Sequence, residues 1–243
     1  MRGYPRALPE KVGPNVVFDV LPRVGAPVQI GLIETMRVRE GRVPWLGRHL
    51  ARLKASLAAL GAPEPPADLA DLVRFAVGVG DRVVRLQLTD GHPELATRDV
   101  NAERAISVMV ASEVHRPYPH KTTRREQFGR ALANARRAGT HDAVLVTADG
   151  FVAEGTAWNL FWWDDDSLYT PAADLGILPG LGRRRIMELT AVKEARVPVG
   201  ALAGRSLFIV NAVRGVVEIG VFDGRAVPRD PRTAELASAF WPY

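Results

Sequence analysis

Cysteine is absent from this chain of 243 residues, and lysine and long apolar runs are scarce. Without cysteine the chain has no disulfide, no zinc–thiolate site and no thiol nucleophile. No run approaches the roughly 18 apolar residues that a membrane span requires. The start, MRGYPRALPEKVG, also lacks the apolar segment of a secretion signal. These absences predict a soluble, cytoplasmic protein without a membrane partner.

The positive charge of the chain indicates an anionic partner. The formal net charge is +5 and the isoelectric point is about 9.9. The arginines are scattered through predicted helices and strands, whereas a nucleic-acid site favours a basic patch interleaved with aromatic residues. We therefore expect a small anionic substrate or cofactor and no nucleic acid. A basic protein that binds nucleic acid is the alternative outside enzymes. The five histidines show no ligand spacing, and His115 and His120 flank two prolines, which predicts loop residues and no metal site.

Lysine is rare among the cations, and one lysine stands out by its surroundings. Of 32 Lys and Arg residues only four are lysines, namely Lys11, Lys54, Lys121 and Lys193. A lysine amine can lose its proton and form a Schiff base, which a guanidinium cannot do. Lys121 lies in the arginine-rich segment RPYPHKTTRREQF, while the other three have the surroundings of ordinary exposed cations. The alternative for Lys121 is a solvated charge near the start of a helix.

The first half of the chain predicts a small α/β unit. The segment IGLIETMRVREGRV predicts two strands around a turn, and DRVVRLQLTDG and RAISVMVAS predict further strands. Leucines at 46, 50, 53, 57 and 60 predict a helix that ends at Gly61, with His49, Arg52 and Ser56 on another side. A second helix is predicted in PADLADLVRFAVGVG. The segment EVHRPYPH (113–120) reads as a linker, which divides the chain into domains at 1–112 and 121–243.

The second half predicts a larger α/β unit. Thr123 and Glu126 fit a capping box, which places Lys121 near the positive end of a helix dipole and disfavours its ammonium form. The stretch DAVLVTADGFVAEGTAWNLFWWDDDSLYT predicts a β-meander with turns at Asp149-Gly150 and at DDDS. PGLGRRRIMELTAVKEA predicts a turn that runs into a helix, and RSLFIVNAVRGVVEI predicts late strands. The fold class is therefore α/β (α+β) with two domains.

Three further features of the sequence, taken together with Lys121, suit pyridoxal phosphate (PLP) chemistry. Glu154 is a carboxylate in an otherwise apolar strand and would keep a pyridine nitrogen protonated; a solvent-facing strand residue is the alternative. Gly180, Leu181 and Gly182 precede a predicted helix, whose free N–H groups would bind a phosphate. Arg52 is a candidate for the same phosphate, and Leu178 for the wall against the ring.

These segments resemble the class IV (fold type IV) PLP-dependent enzymes, which include branched-chain aminotransferases, D-amino acid aminotransferases and 4-amino-4-deoxychorismate lyases. The resemblance runs from about Gly31 to about Ile219 and is carried by ETMRVREGRVPWLGRHLARL, HKTTRR, AEGTAWNLFWW, LYTPAADLGILPGLGR and LFIVNAVRG. It implies a two-domain fold with the active site at the domain interface, and PLP bound covalently to Lys121. It also implies cofactor contacts at Arg52, Lys121, Glu154, Leu178, Leu181, Gly182, Asn211 and Ala212.

Within the family, the segments NLFWW and IVNAV are most similar to the lyases. The resemblance then implies release of pyruvate from aminodeoxychorismate to form 4-aminobenzoate for folate synthesis, with Lys121 as general base and Thr35 as proton donor to the leaving group. An aminotransferase acting on branched-chain or D-amino acids is the alternative. Gly182 stands where relatives often have Thr or Ser. The family also implies a homodimer, and Trp45 has no evident core position, which is consistent with an interface.

Overall fold

The computed structural model describes residues 30–78, 80–100 and 105–242, and it contains two β-sheets. The smaller sheet has three antiparallel strands in sequence order, namely β1 (Leu32–Val38), β2 (Arg82–Thr89) and β3 (His92–Asp99). Two helices, α1 (Leu46–Leu60) and α2 (Leu69–Ala76), pack on it. This sheet and its helices correspond to the first predicted α/β unit, but the returning strand predicted in IGLIETMRVREGRV is only an isolated bridge between Arg39 and Arg42.

The smaller sheet has one apolar face and one polar face because its residues alternate. Leu32, Met36 and Val38 of β1 are buried against the apolar side of α1 and α2. Helix α1 ends where predicted, since Gly61 adopts a left-handed conformation with φ 61° that stops the helix. Leu60, expected in the apolar stripe, is exposed. The opposite, polar face of the sheet is left free to line a cavity.

A hairpin that was not predicted joins β2 to β3. Its two turn residues, Asp90 and Gly91, have φ values of 51° and 76°, the left-handed pair that a two-residue hairpin turn requires. The Asp-Gly pair was the available signal. Strand β3 itself is polar and mostly exposed, so its alternation of apolar and polar residues is too weak to indicate a strand.

The larger sheet contains nine strands and three helices pack around it. The strands are β4 (Ala105–Val114), β5 (Asp142–Val146), β6 (Val152–Gly155), β7 (Asn159–Asp164), β8 (Ser167–Pro171), β9 (Val192–Ala195), β10 (Leu207–Asn211), β11 (Gly215–Phe222) and β12 (Arg225–Ala226). Their order in the sheet is β6-β5-β4-β11-β10-β7-β8-β9, with β12 paired to β11. The helices are α3 (Glu126–Arg137), α4 (Leu181–Leu189) and α5 (Pro231–Ala239).

The two ends of the larger sheet approach each other. The amide of Val152, on the β6 edge, donates to the carbonyl of Val197, just after β9, at 2.9 Å. Phe151 and Pro198 form an isolated bridge beside this bond. The sheet therefore curls on itself around an apolar core that includes Trp158, Trp162 and Ile209.

The two hairpins of the predicted meander are correct, but the predicted pairing between the second strand of the first hairpin and the first strand of the second hairpin is wrong. Strands β5 and β6 pair antiparallel, and so do β7 and β8, but β7 pairs with β10 instead of β6. The reason is a local turn: the Gly155 amide donates to the Trp158 carbonyl at 2.9 Å. The buried carboxylate of Asp142 accepts hydrogen bonds from the Thr156 amide and the Trp158 indole, both at 3.0 Å. These contacts fix the turn and direct the chain across the sheet.

Strand β4, predicted within the N-terminal domain, belongs to the larger sheet. It pairs in parallel with both β5 and β11. The chain therefore leaves the smaller sheet between Asp99 and Ala105, ahead of the linker predicted at 113–120, which follows β4. The domain limits at 1–112 and 121–243 stay a prediction, and β4 favours an earlier boundary.

Trp45 packs within its own chain. Its ring stacks on Trp241 at a centroid distance of 5.2 Å and meets the edge of Phe240 at 5.3 Å. The expectation that Trp45 lacks a core position is therefore wrong, because the residues after α5 cover it. Among the described helices, none combines the length and apolar character needed to cross a bilayer.

Candidate active site

A cavity of about 690 Å³ lies between the polar face of the smaller sheet and the larger sheet. Its volume is within the range of small-molecule and cofactor sites. Every residue assigned a site role from the sequence lines this cavity: Thr35, Arg52, Lys121, Glu154, Leu178, Leu181, Gly182, Asn211 and Ala212. The structure therefore brings together in space residues that are up to 177 positions apart in the chain.

Lys121 lies on an extended segment that runs beside β1. Its carbonyl accepts a hydrogen bond from the Ile33 amide at 2.7 Å, and the amide of Thr123 donates to the Gly31 carbonyl at 2.8 Å. The Thr123 hydroxyl accepts from the Gly31 amide at 3.0 Å. These bonds fix the backbone of Lys121 to the smaller sheet, so that its side chain reaches the cavity between the sheets.

The predicted capping box is wrong, and the amine is tuned by another cause. Helix α3 begins at Glu126 after Arg125, without a side-chain cap, because the Thr123 hydroxyl is used by Gly31. Burial lowers the pKa of Lys121 to about 7, assisted by the positive charges of Arg125 and Arg52. A large fraction of the amine is therefore uncharged near neutral pH, as a nucleophilic lysine requires. Lys54 and Lys193 are exposed as expected, and Lys11 lies outside the described residues.

Glu154 is buried on β6, so the alternative of a solvent-facing strand residue is wrong. Its Oε1 accepts a hydrogen bond from the Leu178 amide at 3.2 Å and lies 3.0 Å from Nε2 of His115. Burial raises the pKa of Glu154, and the hydrogen bond from His115 opposes that effect. Leu178, the predicted wall for a ring, is therefore joined to Glu154 through its own backbone.

Arg52 reaches the cavity from α1 but is tied to a buried carboxylate. Its Nε and Nη2 donate to Glu34 at 2.8 and 2.6 Å, and its Nη1 donates to the Pro179 carbonyl at 3.3 Å. Nδ1 of His49 lies 2.6 Å from the same Glu34 carboxylate. Although burial raises it, the pKa of Glu34 is lowered to about 2 by Arg52 and His49 together. Arg52 is thus oriented by Glu34 towards the turn at 179–180.

The turn before α4 is tightly packed at its two glycines. A Cβ on Gly180 would lie 2.0 Å from Oδ1 of Asn159, and one on Gly182 would lie 2.9 Å from the backbone of Asn211. Gly182 is therefore required by close approach to β10, which explains glycine where relatives often carry a hydroxyl. The first N–H groups of α4 precede the first intrahelical hydrogen bond, from Arg184 to Gly180, and are available to an anion.

Asn211 and Ala212 form the wall of the cavity at the end of β10. The Asn211 side chain accepts hydrogen bonds from the Val213 and Arg214 amides, both at 2.9 Å, and donates to the Ala157 carbonyl at 3.2 Å. These hydrogen bonds occupy the polar atoms of the Asn211 side chain and fix the turn that leads into β11. The contribution of Asn211 and Ala212 to the cavity is thus the position of their backbone.

The polar face of the smaller sheet gives the cavity a cationic side. Thr35 and Arg85 are direct cross-strand partners, and Arg85 is paired with Ala96, so that Arg98 lies diagonally on the same face. Arg85, Arg98 and Arg125 all line the cavity, and no carboxylate of the described residues forms an ion pair with any of them. Burial and the nearby Arg125 lower the pKa of Arg85. This side of the cavity suits an anion.

Sequence reasoning gave no role to six residues of the site, namely Glu34, His49, Arg85, Arg98, His115 and Arg125. His115 and His49 were treated as ordinary histidines, although they contact Glu154 and Glu34. Glu34 carried a signal, since it is a carboxylate on the otherwise apolar face of β1. Arg85 carried none, because a cation in a partly exposed strand is common.

The residues present fit PLP. One cavity of suitable volume is lined by a lysine with a pKa lowered to about 7, a buried carboxylate, a helix N-terminus packed closely at two glycines, and a cationic side chain. Lys121 would hold the aldehyde, Glu154 the ring nitrogen, and Arg52 with the α4 amides the phosphate. The described residues contain no cluster of His, Cys, Asp and Glu side chains that would bind a metal ion.

Comparison with known proteins gives one family. A model of the amino-transferase class IV family matches residues 31–221. A candidate branched-chain-amino-acid aminotransferase of Rickettsia typhi is 27% identical over 242 residues, covering 84% of this chain and 83% of that protein. The branched-chain-amino-acid aminotransferase-like protein 2 of Arabidopsis thaliana is 29% identical over 77% of this chain, which spans only 38% of that protein. The aminodeoxychorismate lyase of Bacillus subtilis is 47% identical over 47 residues, 19% of this chain and 16% of the lyase.

Solved structures agree with the family model. A candidate amino-acid aminotransferase of Mesorhizobium loti has a TM-score of 0.74 and 27% identity, covering 79% of this chain and 99% of that one. A candidate 4-amino-4-deoxychorismate lyase of Legionella pneumophila has a TM-score of 0.78, 21% identity and coverage of 91% and 95%. At that identity the lyase shows the fold alone. The chain therefore belongs to the class IV aminotransferase family, whose members are PLP-dependent enzymes of fold type IV.

Proposed function

We propose that this enzyme is a 4-amino-4-deoxychorismate lyase, which releases pyruvate from aminodeoxychorismate and leaves 4-aminobenzoate. The observation that carries the proposal is the cationic side of the cavity formed by Arg85, Arg98 and Arg125. Aminodeoxychorismate has two carboxylates, one on its ring and one on the enolpyruvyl group. Arginine is the side chain best suited to carboxylates, which it binds through paired N–H groups.

The residues divide the reaction between them. Bound PLP supplies an electron sink for the electrons of the bond that is broken. Lys121 Nζ, whose pKa of about 7 leaves a large fraction of the amine uncharged at neutral pH, accepts the proton from the ring carbon that bears the substrate amine. Thr35 Oγ1, beside Arg85 in the sheet register, donates a proton to the departing enolpyruvate. Glu154 holds the proton on the ring nitrogen from the larger sheet.

An aminotransferase is the second candidate, and a specific observation favours it. In the sequence comparison, the candidate branched-chain-amino-acid aminotransferase of Rickettsia typhi and the similar protein of Arabidopsis thaliana match 84% and 77% of this chain, whereas the lyase of Bacillus subtilis matches only 19% of it. A branched-chain amino acid carries one carboxylate and an apolar side chain, so it would use at most one or two of the three arginines. Membership in an enzyme family leaves the nucleic-acid-binding alternative without support. A cytoplasmic location is part of the proposal and follows from folate synthesis.

The test is product analysis with the purified holoenzyme. Incubation with aminodeoxychorismate should release 4-aminobenzoate and pyruvate in equal amounts, without an added oxo acid. The Lys121→Ala variant is the matched control and should release neither. Amino-group transfer from a branched-chain or D-amino acid to an oxo acid, with no 4-aminobenzoate formed, would establish the aminotransferase instead.

A further inference from the structure

His115 lies behind the cavity and touches a residue that faces it. It follows β4 directly, and its amide donates to the Val146 carbonyl at the end of β5 at 2.7 Å. Its side chain is fully buried, and Nε2 is 3.0 Å from Oε1 of Glu154. The edge of its ring packs against Phe128 of α3 at a centroid distance of 6.4 Å. His115 is therefore fixed by three elements of the larger lobe (the larger sheet with α3, α4 and α5): β5 contacts its backbone, and β6 and α3 contact its imidazole.

The two oxygens of Glu154 have different surroundings. Oε1 receives both hydrogen bonds that the described residues provide, from Leu178 and His115. Oε2 receives none of them, while Glu154 lines the cavity. The protein thus holds the carboxylate by one oxygen and leaves the other for a group inside the cavity. A ring nitrogen that carries a proton is a donor suited to that oxygen.

The second nitrogen of His115 indicates which tautomer is present. Nδ1 is buried and has no hydrogen-bond partner among the residues that the structure describes. A buried N–H without an acceptor is costly, so the proton belongs on Nε2, where Glu154 accepts it. The imidazole is then a neutral donor. Glu34 provides the contrast, because its partner Arg52 is a cation that neutralises it. The hydrogen bond from Nε2 favours the ionised form of Glu154, against the burial that raises its pKa.

We propose that His115 is a positioning residue that holds Glu154 ionised, with one oxygen directed at the ring nitrogen of PLP. The proposal depends on the cofactor of the family and on the role of Glu154, and it is independent of which reaction the enzyme catalyses. Removal of the Nε2–H donor should leave the buried carboxylate easier to protonate. The ring nitrogen would then lose its proton, and the cofactor would become a poorer electron sink.

The test compares His115→Phe, His115→Gln, Glu154→Gln and the double variant H115F/E154Q as holoenzymes. The readouts are kcat and KM, the affinity for PLP, and the visible absorption spectrum of the bound cofactor. His115→Phe removes the donor and keeps a ring, whereas the amide of Gln can still donate. His92→Phe, at an exposed position of β3, is the control for loss of a histidine. If His115→Phe does not fold, the smaller His115→Leu takes its place.

We expect His115→Phe to lower kcat by about tenfold or more with little change in KM, and to shift the spectrum in the same direction as Glu154→Gln. His115→Gln should restore most of kcat. The double variant should be no slower than Glu154→Gln alone, because both changes remove the same interaction. Multiplying effects in the double variant, or a spectrum unchanged in His115→Phe, would overturn the proposal. The spectrum and the affinity do not depend on the substrate, so a failed lyase assay leaves this test valid.

Discussion

At the scale of the residue, the amine of Lys121 should titrate near neutrality. Its pKa of about 7 results from burial and from the charges of Arg125 and Arg52. Because only the uncharged amine attacks an aldehyde, capture of PLP by the cofactor-free protein should speed up as pH rises through about 7, then level off. Arg125→Gln removes one cation and should move that midpoint to higher pH. Stopped-flow absorbance at a series of pH values measures the midpoint.

Two controls accompany this titration. Arg124→Gln removes the adjacent, exposed arginine and should leave the midpoint in place. Borohydride reduction should attach no PLP covalently to the Lys121→Ala variant at any pH. The Lys54→Ala variant should form the same adduct as the unmodified protein. A midpoint near the ordinary lysine value of about 10.4 would show that the site does not tune this amine.

At the scale of the element, a buried ion pair between Arg52 and Glu34 adds to the apolar contact between β1 and α1. Arg52→Ala would leave the Glu34 carboxylate with His49 alone, in a place where its side chain is 2% exposed. Breaking such a pair from one side costs about 3–5 kcal/mol. We therefore expect Arg52→Ala to lower the melting temperature by at least about 6 °C, in addition to weakening PLP binding.

The double variant Arg52→Ala with Glu34→Gln separates the two effects. It removes the uncompensated charge, so thermal unfolding should return part of the way towards the original melting temperature. PLP titration of the cofactor-free protein should still show weak binding, since the guanidinium is missing from the phosphate. Equal melting temperatures for the single and double variants would contradict the role given to Glu34.

Elements with a strong repeating pattern were predictable from the sequence, and pairings that depend on distant contacts were not. Helix α1 followed from its leucines and Gly61, and the start of α4 from its glycine turn, whereas the last residues of the predicted helix form β9. The departure of β7 from β6 depends on the carboxylate of Asp142, which is 14 residues from Thr156 in the chain. The site residues were identified by chemical type, while the buried partners His115 and His49 have no local signature.

At the scale of the whole molecule, we predict a homodimer. The prediction rests on the family resemblance, because Trp45 packs against Trp241 of its own chain and gives no support. Sedimentation velocity at assay concentrations, with and without PLP, should give the mass of two chains. A monomer of 26.5 kDa with full activity would contradict it.

The backbone bonds on either side of Lys121 have a mechanical consequence. The lysine is attached to the smaller sheet through Ile33 and Gly31, whereas Glu154 and the α4 turn belong to the larger lobe. A cofactor joined to Lys121 and held at its other end by the larger lobe would therefore cross-link the smaller sheet to the larger lobe. Hydrogen–deuterium exchange at the Ile33 amide should slow when PLP is loaded and reduced onto Lys121. Exchange should slow much less when Lys121→Ala binds PLP without the covalent bond. Equal protection of the Ile33 amide in the two proteins would mean that the covalent bond does not restrain the smaller sheet against the larger lobe.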